Sequence, residues 1–287
     1  MTSDTNPLKR TVTFTGEYVE KNFTVFDIQS FKGKRKLSQT LPSTPEEAVA
    51  AYEGGIDWLN VRFDPKNPKR TEEIRKSVPN TFMTFAMPPT NVPSKNAALR
   101  LAFEAMEMGA DSIMCSTWSL ELIQDVANAG VPAQGHVGLV PRRSTWTGGL
   151  RAVGKTFDQS QKLFEDIMAL ERAGAWAVEV EVVPSAVLDA ISKKTNLITC
   201  SIGSGAGGDV QFLFAQDILG DSLDPYPRHS KQYCNFIKIR EEMQKVRKAA
   251  FSQFNHEVKN GLFPSEEFEV TLSEKELKKL RDYLSEF

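Results

Sequence analysis

Apolar residues along this chain come in two arrangements, and the two alternate. Short runs of consecutive or every-other apolar residues lie over 58–62, 81–87, 112–116, 133–139, 177–183 and 197–202, and each reads as a strand. Between most of them, over 94–108, 119–129, 158–173 and 184–194, apolar positions fall three and four apart, the spacing of a helix with one buried face. Serine or aspartate stands at several of these starts. Thr44-Pro45-Glu46-Glu47 predicts another helix, to Glu53, from its threonine cap and first-turn proline. One punctuation repeats: a helix ends at glycine and an apolar strand follows within two or three residues, at Gly55, Gly109, Gly130 and Gly174. Strands alternating with helices imply right-handed crossovers and a parallel sheet. A first strand over 36–41 and a weak last one over 211–214 bring the number to eight. Eight strands at this length predict an α/β fold, the closed (β/α)8 TIM barrel, with extra N- and C-terminal helices. The glycine pattern alone fits an open doubly wound sheet equally well.

The pattern divides the chain into a polar arm over 1–24, a barrel domain over 25–264 and a helical tail over 265–287. A short helix within 26–31 opens the barrel domain, ending at Lys32-Gly33. The charged helix over 228–260 carries an apolar stripe, from Phe236 and Ile239 to Phe254 and Val258, that reads as packing within the chain or against another subunit. Ser273-Glu274-Lys275-Glu276 starts the tail helix, with Leu277, Leu280 and Leu284 on one face.

Composition narrows the functions. A net charge of −2 and a pI of about 6.0 give no reason to expect nucleic acid or an anionic membrane. No apolar run approaches the roughly 18 residues of a span. The first ten residues, MTSDTNPLKR, have no apolar signal core, so a cytoplasmic protein is expected. Cys115, Cys200 and Cys234 stand far apart and suggest reduced thiols rather than a disulfide or zinc framework.

The chemistry concentrates in Ala175–Pro184, AWAVEVEVVP. Glu179 and Glu181 share one face of the strand, and Val178, Val180 and Val182 the other. With the valines under helices, the acids point into the barrel, and a buried carboxylate is either paired or a proton carrier near neutral pH. On a wet edge the same acids would be inert. Active residues of a barrel stand at the C-terminal strand ends. Those ends hold Arg62 and Asp64, Met87-Pro88-Pro89, Ser116-Thr117-Trp118, His136, Glu181 and the glycine-rich 203–208. His136, between Gly135 and Gly138, reads either as a hydrogen-bonded core residue or as a site residue. The 203–208 loop, with Ser204, reads either as a cradle for a carboxylate or as a tight rim turn; no helix opens behind it, so NAD is not expected.

These residues resemble the ketopantoate hydroxymethyltransferase family, within the phosphoenolpyruvate mutase/isocitrate lyase type of barrel. The matching stretches are Phe31-Lys32-Gly33-Lys34, Gly135-His136-Val137-Gly138-Leu139, Gly154-Lys155-Thr156, Leu170-Glu171-Arg172-Ala173-Gly174-Ala175, Glu181-Val182-Val183-Pro184, Gly203-Ser204-Gly205-Ala206-Gly207, Gln216-Asp217-Ile218-Leu219-Gly220, Lys231-Gln232-Tyr233 and Gly261-Leu262-Phe263-Pro264. They keep the family's order over 22–264. The resemblance implies a homo-oligomer and an aldol addition, in which a 2-oxo acid on a divalent metal loses a proton and attacks a one-carbon unit. By position, Glu181 matches the family's base and His136 its motif histidine.

The departures fall on the metal site. Arg62-Phe63-Asp64 replaces the family's Gly-Asp-Ser, Ala86 replaces an aspartate before Met87-Pro88, and Met114-Cys115-Ser116-Thr117-Trp118 replaces Lys-x-Glu-Gly-Gly. Asp64 is then the only candidate metal ligand. No cofactor is expected, and Mg2+ enters only if the site is rebuilt. The expected catalytic residues are Glu181, His136 and Arg62. The expected substrate contacts are Asp64, Ser116, Trp118, Met114, Ala86, Phe63 and Ser204. Arg62 reads either as the electrophile that replaces the ion or as half of a salt bridge with Asp64 or Glu179. Two functions follow. One is an acid/base enzyme of secondary metabolism acting on a small enolisable carbonyl or carboxylate compound, not in ketopantoate synthesis. The other is a non-catalytic binding homologue, or a hydroxymethyltransferase with a rearranged metal site.

Overall fold

In the computed structural model of this chain, which describes residues 7–88, 92, 94–223 and 225–287, the arm contains an antiparallel pair, β1 (Lys9–Val12) and β2 (Tyr18–Lys21). Helix α1 (Val25–Ser30) leads from it into β3 (Leu37–Leu41), α2 (Pro45–Glu53), β4 (Trp58–Arg62), α3 (Lys69–Ser77), β5 (Phe82–Ala86) and α4 (Lys95–Glu107). Next come β6 (Ser112–Met114), α5 (Leu120–Asn128), β7 (Ala133–Gly138), α6 (Ser144–Thr147) and α7 (Phe157–Arg172). The alternation ends with β8 (Ala177–Glu181), α8 (Ser185–Ser192), β9 (Ile198–Ile202), β10 (Val210–Phe214) and α9 (Ala215–Leu219). Strands β3 to β10 form a closed parallel barrel in chain order. The weak last strand is the one that closes it: β10 pairs with β9 on one side and β3 on the other.

Local chemistry explains where the helices begin. The side chains of Thr44, Ser94, Ser119 and Thr156 each accept the backbone N–H three residues on, opening α2, α4, α5 and α7. The strand faces then sort the core. Outward residues such as Leu59, Val61, Ile113, Val178 and Val180 pack under the helices against Leu101, Ile123, Ile167 and Leu188. Inward residues at the N-terminal end form an aromatic plug. Trp58 stacks on Trp176 at 5.2 Å, Phe82 meets both edge-on, and Phe23 and Ile28 close the plug from below. Each such ring gains roughly 4–6 kcal/mol of gross transfer free energy. The indole N–H groups are satisfied inside, Trp58 by Thr84 at 2.8 Å and Trp176 by Ser112 at 3.1 Å.

Several elements differ from the sequence pattern. Helix α3 escapes it because Lys69–Ser77 is mostly charged; its buried face consists of Thr71, Ile74 and Arg75. The arm carries the β1–β2 pair, with Lys21 buried. Helix α10 (Phe236–Lys259) starts at an Asn235 cap rather than at 228. The chain divides into two compact units at 234/235, not at 264/265. Helix α10 therefore belongs to the second unit with α11 (Glu274–Leu284); neither has a buried residue to tie it to a core. Pro89 lies outside the described residues.

Candidate active site

Strand β8 carries Glu179 and Glu181 on its inward face, while Val178 and Val180 are wholly buried outside. The chain then turns sharply. Val182 has φ +49°, a left-handed conformation that a β-branched residue adopts only under constraint. The constraint is visible. The Val182 N–H donates to Ile202 at 2.9 Å, and its carbonyl accepts from Val153 at 3.1 Å. The Ser204 hydroxyl accepts from the Val183 N–H at 2.9 Å and donates to the Val180 carbonyl at 2.8 Å. On the other flank, the Leu139 N–H donates to the Glu181 carbonyl at 2.8 Å. A Cβ at Gly138 would stand 2.3 Å from that same carbonyl, so only glycine lets β7 approach it. The backbone of Glu181 is thus gripped from both neighbouring strands.

His136 faces inward on β7 as the register partner of Glu179. Its Nε2 lies 3.1 Å from Glu181 Oε2 and 3.6 Å from Glu179 Oε1. Both are ion-pair contacts, and neither is aligned as a hydrogen bond. Its Nδ1 lies 2.7 Å from Ser116 Oγ. The side chains of His136 and Glu179 are 3% and 4% exposed and that of Glu181 13%, so Glu181 is the member that reaches the barrel mouth.

Burial sets the electrostatics. It drives the Glu179 carboxyl up to about 7, against the pull of His136 and with the help of Glu181. Burial also works against a charged His136, but Glu179 and the contact with Glu181 outweigh it, so the imidazole is held above its usual range. Glu179 and His136, each shifted partly by the other, are coupled in their protonation. Around them the barrel interior is polar where such barrels usually carry branched apolar side chains. Gln39, Asn60 and Gln134 are buried there with amide atoms that find no protein partner.

The other expected site residues are distributed unevenly. Ser116 joins the cluster as the partner of His136. Ala86 pairs in register with Arg62 at the barrel mouth, and Met114 is buried at the end of β6. Arg62 is exposed and, among the described residues, makes no ion pair, so the expected bridge to Asp64 or Glu179 is not formed. Phe63 does not face the barrel mouth: it is buried on the outer face, stacked on Phe85 at 5.9 Å, because the pleat turns it away from Arg62. Asp64 is exposed and accepts the Lys66 N–H at 3.0 Å, a turn contact away from the acids. Ser204 is wholly buried and frames Glu181 instead of lining the mouth. The glycine-rich loop packs against α8, where a Cβ at Gly205 would meet Ser185 at 2.1 Å; it is a rim turn. Trp118 is buried in the wall of a groove of about 760 Å3 beside β6 and β7, whose lining includes Ser116 and His136.

Among the described residues, the set able to hold a metal ion is His136, Glu179 and Glu181, whose ligand atoms lie within 4.8 Å of one another. Asp64, the ligand expected from the sequence, is outside it. Sequence reading separated the roles of these three; the register of β7 on β8 unites them. It also missed Arg143, whose guanidinium donates to the Thr117 carbonyl at 2.8 Å across the groove. The Arg142-Arg143 pair just after β7 was the signal available.

Comparison with known proteins agrees with this architecture. The model of the family described as ketopantoate hydroxymethyltransferase matches residues 58–266. The 3-methyl-2-oxobutanoate hydroxymethyltransferase of Kosmotoga olearia is 31% identical over 255 residues, 82% of this chain and 93% of its own length. That of Thermus thermophilus is 28% identical over 262 residues, 85% of this chain and 98% of its own. Among solved structures, 2,3-dimethylmalate lyase, a PEP mutase/isocitrate lyase superfamily member, superposes with a TM-score of 0.53 at 12% identity. That match covers 79% of this chain and 88% of the lyase, and carries the fold alone.

Proposed function

This chain belongs to the ketopantoate hydroxymethyltransferase family, and from that premise we propose that it makes or breaks a carbon–carbon bond next to the carbonyl of a 2-oxo acid or similar enolisable compound. The observation that carries the reading is the Glu181–His136 contact at 3.1 Å, at the mouth of the barrel and held by a strained turn. Glu181 is the base. It removes a proton from the carbon beside the carbonyl, and His136, steadied by Ser116, shares the proton and returns it. The enolate then adds to an electrophilic carbon, or forms in reverse when that bond breaks. Arg62 is the cation for the enolate oxygen or the carboxylate: its guanidinium makes no ion pair among the described residues, and Ala86 beside it is small.

The family's divalent ion does not fit where its aspartates would stand. Phe63 faces the helices, Ala86 offers no oxygen, and a hard ion such as Mg2+ needs several oxygen ligands. The His136 set offers one nitrogen and two carboxylates, better suited to a softer transition ion. The experiment is exchange of the protons next to the carbonyl of 2-oxo acids for solvent deuterium, followed by NMR. Exchange is expected to survive a chelator and to fall about 10²–10⁴-fold in Glu181→Gln. Equal exchange in both proteins would remove the reading. Loss on chelation, with one tight transition ion per chain, would transfer the role of the cluster to metal binding.

A further inference from the structure

Three side chains of the kinds that bind metals converge on the inward faces of β7 and β8. His136 Nε2 lies 3.1 Å from Glu181 Oε2 and 3.6 Å from Glu179 Oε1, and the ligand atoms of all three residues lie within 4.8 Å of one another. Atoms that share one ion at about 2.0–2.2 Å stand roughly 3.0–3.6 Å apart. Two edges of the triangle therefore already have the length an ion requires, and rotation of a carboxylate brings the third within it. The scaffold holds the triangle in place. His136 and Glu179 are partners in register, and the backbone of Glu181 is gripped from both neighbouring strands.

The unpaired atoms point the same way. His136 Nε2 and Glu179 Oε2 are enclosed and have no hydrogen-bond partner among the described residues. Nδ1 of the same imidazole is engaged by Ser116 Oγ at 2.7 Å. With the ring hydrogen on Nδ1, the Nε2 lone pair faces the two acids. A hydrogen bond on the far nitrogen is how an imidazole is fixed for an ion. Enclosure is no obstacle, because an ion lies between its ligand atoms and needs no water-sized opening. Enclosure does decide the class. Mg2+ prefers oxygen ligands in octahedral array and keeps several waters, for which the buried His136 and Glu179 leave no room. One imidazole nitrogen and two carboxylates, with a further position towards the mouth beside Glu181, suit an ion of the zinc class.

We propose that His136, Glu179 and Glu181 form a binding site for a transition dication of the zinc class, and that this ion inhibits, because it takes the same His136 Nε2 and Glu181 Oε2 that move the proton. The site rests on the geometry of the three side chains; the inhibition rests on the enolisable-carbonyl reading above. Binding exchanges the ion for the protons these ligands hold, so ion and proton transfer exclude each other.

The test loads chelator-treated protein with Zn2+ or Co2+, follows occupancy by elemental analysis and the visible Co2+ spectrum, and measures deuterium exchange of 3-methyl-2-oxobutanoate in parallel. About one ion per chain is expected. Exchange should fall in proportion to occupancy and return with chelator, and Mg2+ should neither bind nor inhibit. Glu179→Gln removes a ligand at constant volume, and Ser116→Ala frees the imidazole; each should weaken Zn2+ binding by about tenfold or more. The melting temperature of each variant without metal checks that it is folded. Absence of stoichiometric binding to the wild type overturns the site, and so does binding equally tight in both variants, which places the ion elsewhere on the chain. Exchange that persists at full occupancy, or that appears only with the ion, overturns the inhibition. An ion-free protein that binds one ion but exchanges no proton overturns the enolisation reading, and the inhibition with it, while the site stands.

Discussion

Glu179 sits one pleat below Glu181, the proposed base, enclosed, with an oxygen that no protein donor among the described residues reaches. Its folded carboxyl titrates near 7 and its unfolded one near 4.5, so between those values the folded state holds a proton that the unfolded state has lost. Stability is then greatest below the lower value and falls as pH rises through the upper one, at most about 1.4 kcal/mol for each unit. His136, also raised, acts in the same direction. Glu179→Gln should flatten this decline; urea unfolding at pH 5 and 7.5 measures it, and an unchanged slope would remove Glu179 as its source. Arg62 makes a second prediction. Arg62→Lys keeps charge but loses the fork, so turnover should fall by tenfold or more with little change in melting temperature. A variant that melts early and turns over normally would return Arg62 to a structural role. Not every residue was legible from sequence. The inward acids followed from strict alternation. The same alternation, carried from Leu59 and Val61, already turns Phe63 outward, which a strand-end inventory overlooks. Ser204 and Gly138 matter through backbone contacts with β8, and no spacing in a sequence reports those.

At the scale of elements, one carboxylate ties β2 to α3 and the barrel. Asp111, just before β6, accepts from Lys21 of β2 at 3.1 Å, from Arg75 of α3 at 3.2 Å and from the Met83 N–H at 2.9 Å. Both cations are buried, and burial lowers the Lys21 ammonium from its usual range despite Asp111. Asp111→Asn leaves two enclosed cations facing a neutral amide and should destabilise by about 3–5 kcal/mol. Lys21→Met removes one cation, leaves Asp111 paired with Arg75, and should change stability by less than about 1.5 kcal/mol. Comparable losses in the two, measured by thermal unfolding, would contradict this account. The cluster also explains which elements the sequence concealed. Helix α3 buries an arginine and β2 a lysine, so both look solvated by composition. Elements whose buried faces are aliphatic, such as α5 and α7, were found to within a residue or two.

For the whole molecule, the count of eight strands at this length pointed to a barrel, and the family motifs pointed to Glu181 and His136. The boundary between the two units was not legible, because the apolar stripe of α10 looks alike whether it packs within a chain or is left exposed, as Ile239, Met243 and Phe254 are. The way the barrel closes has a consequence for how the chain is made. Strand β3 ends at residue 41, and its outer neighbour β10 ends at residue 214. At ordinary ribosomal speeds of about 5–20 residues per second, β3 waits roughly ten to thirty seconds for that partner. Throughout that interval a nascent chain presents an unpaired parallel edge, the kind that joins other chains. Lys34, Arg35 and Lys36 stand immediately before β3, three like charges at the entrance to the edge. They repel a second copy on the same polysome while the last strand is still being synthesised.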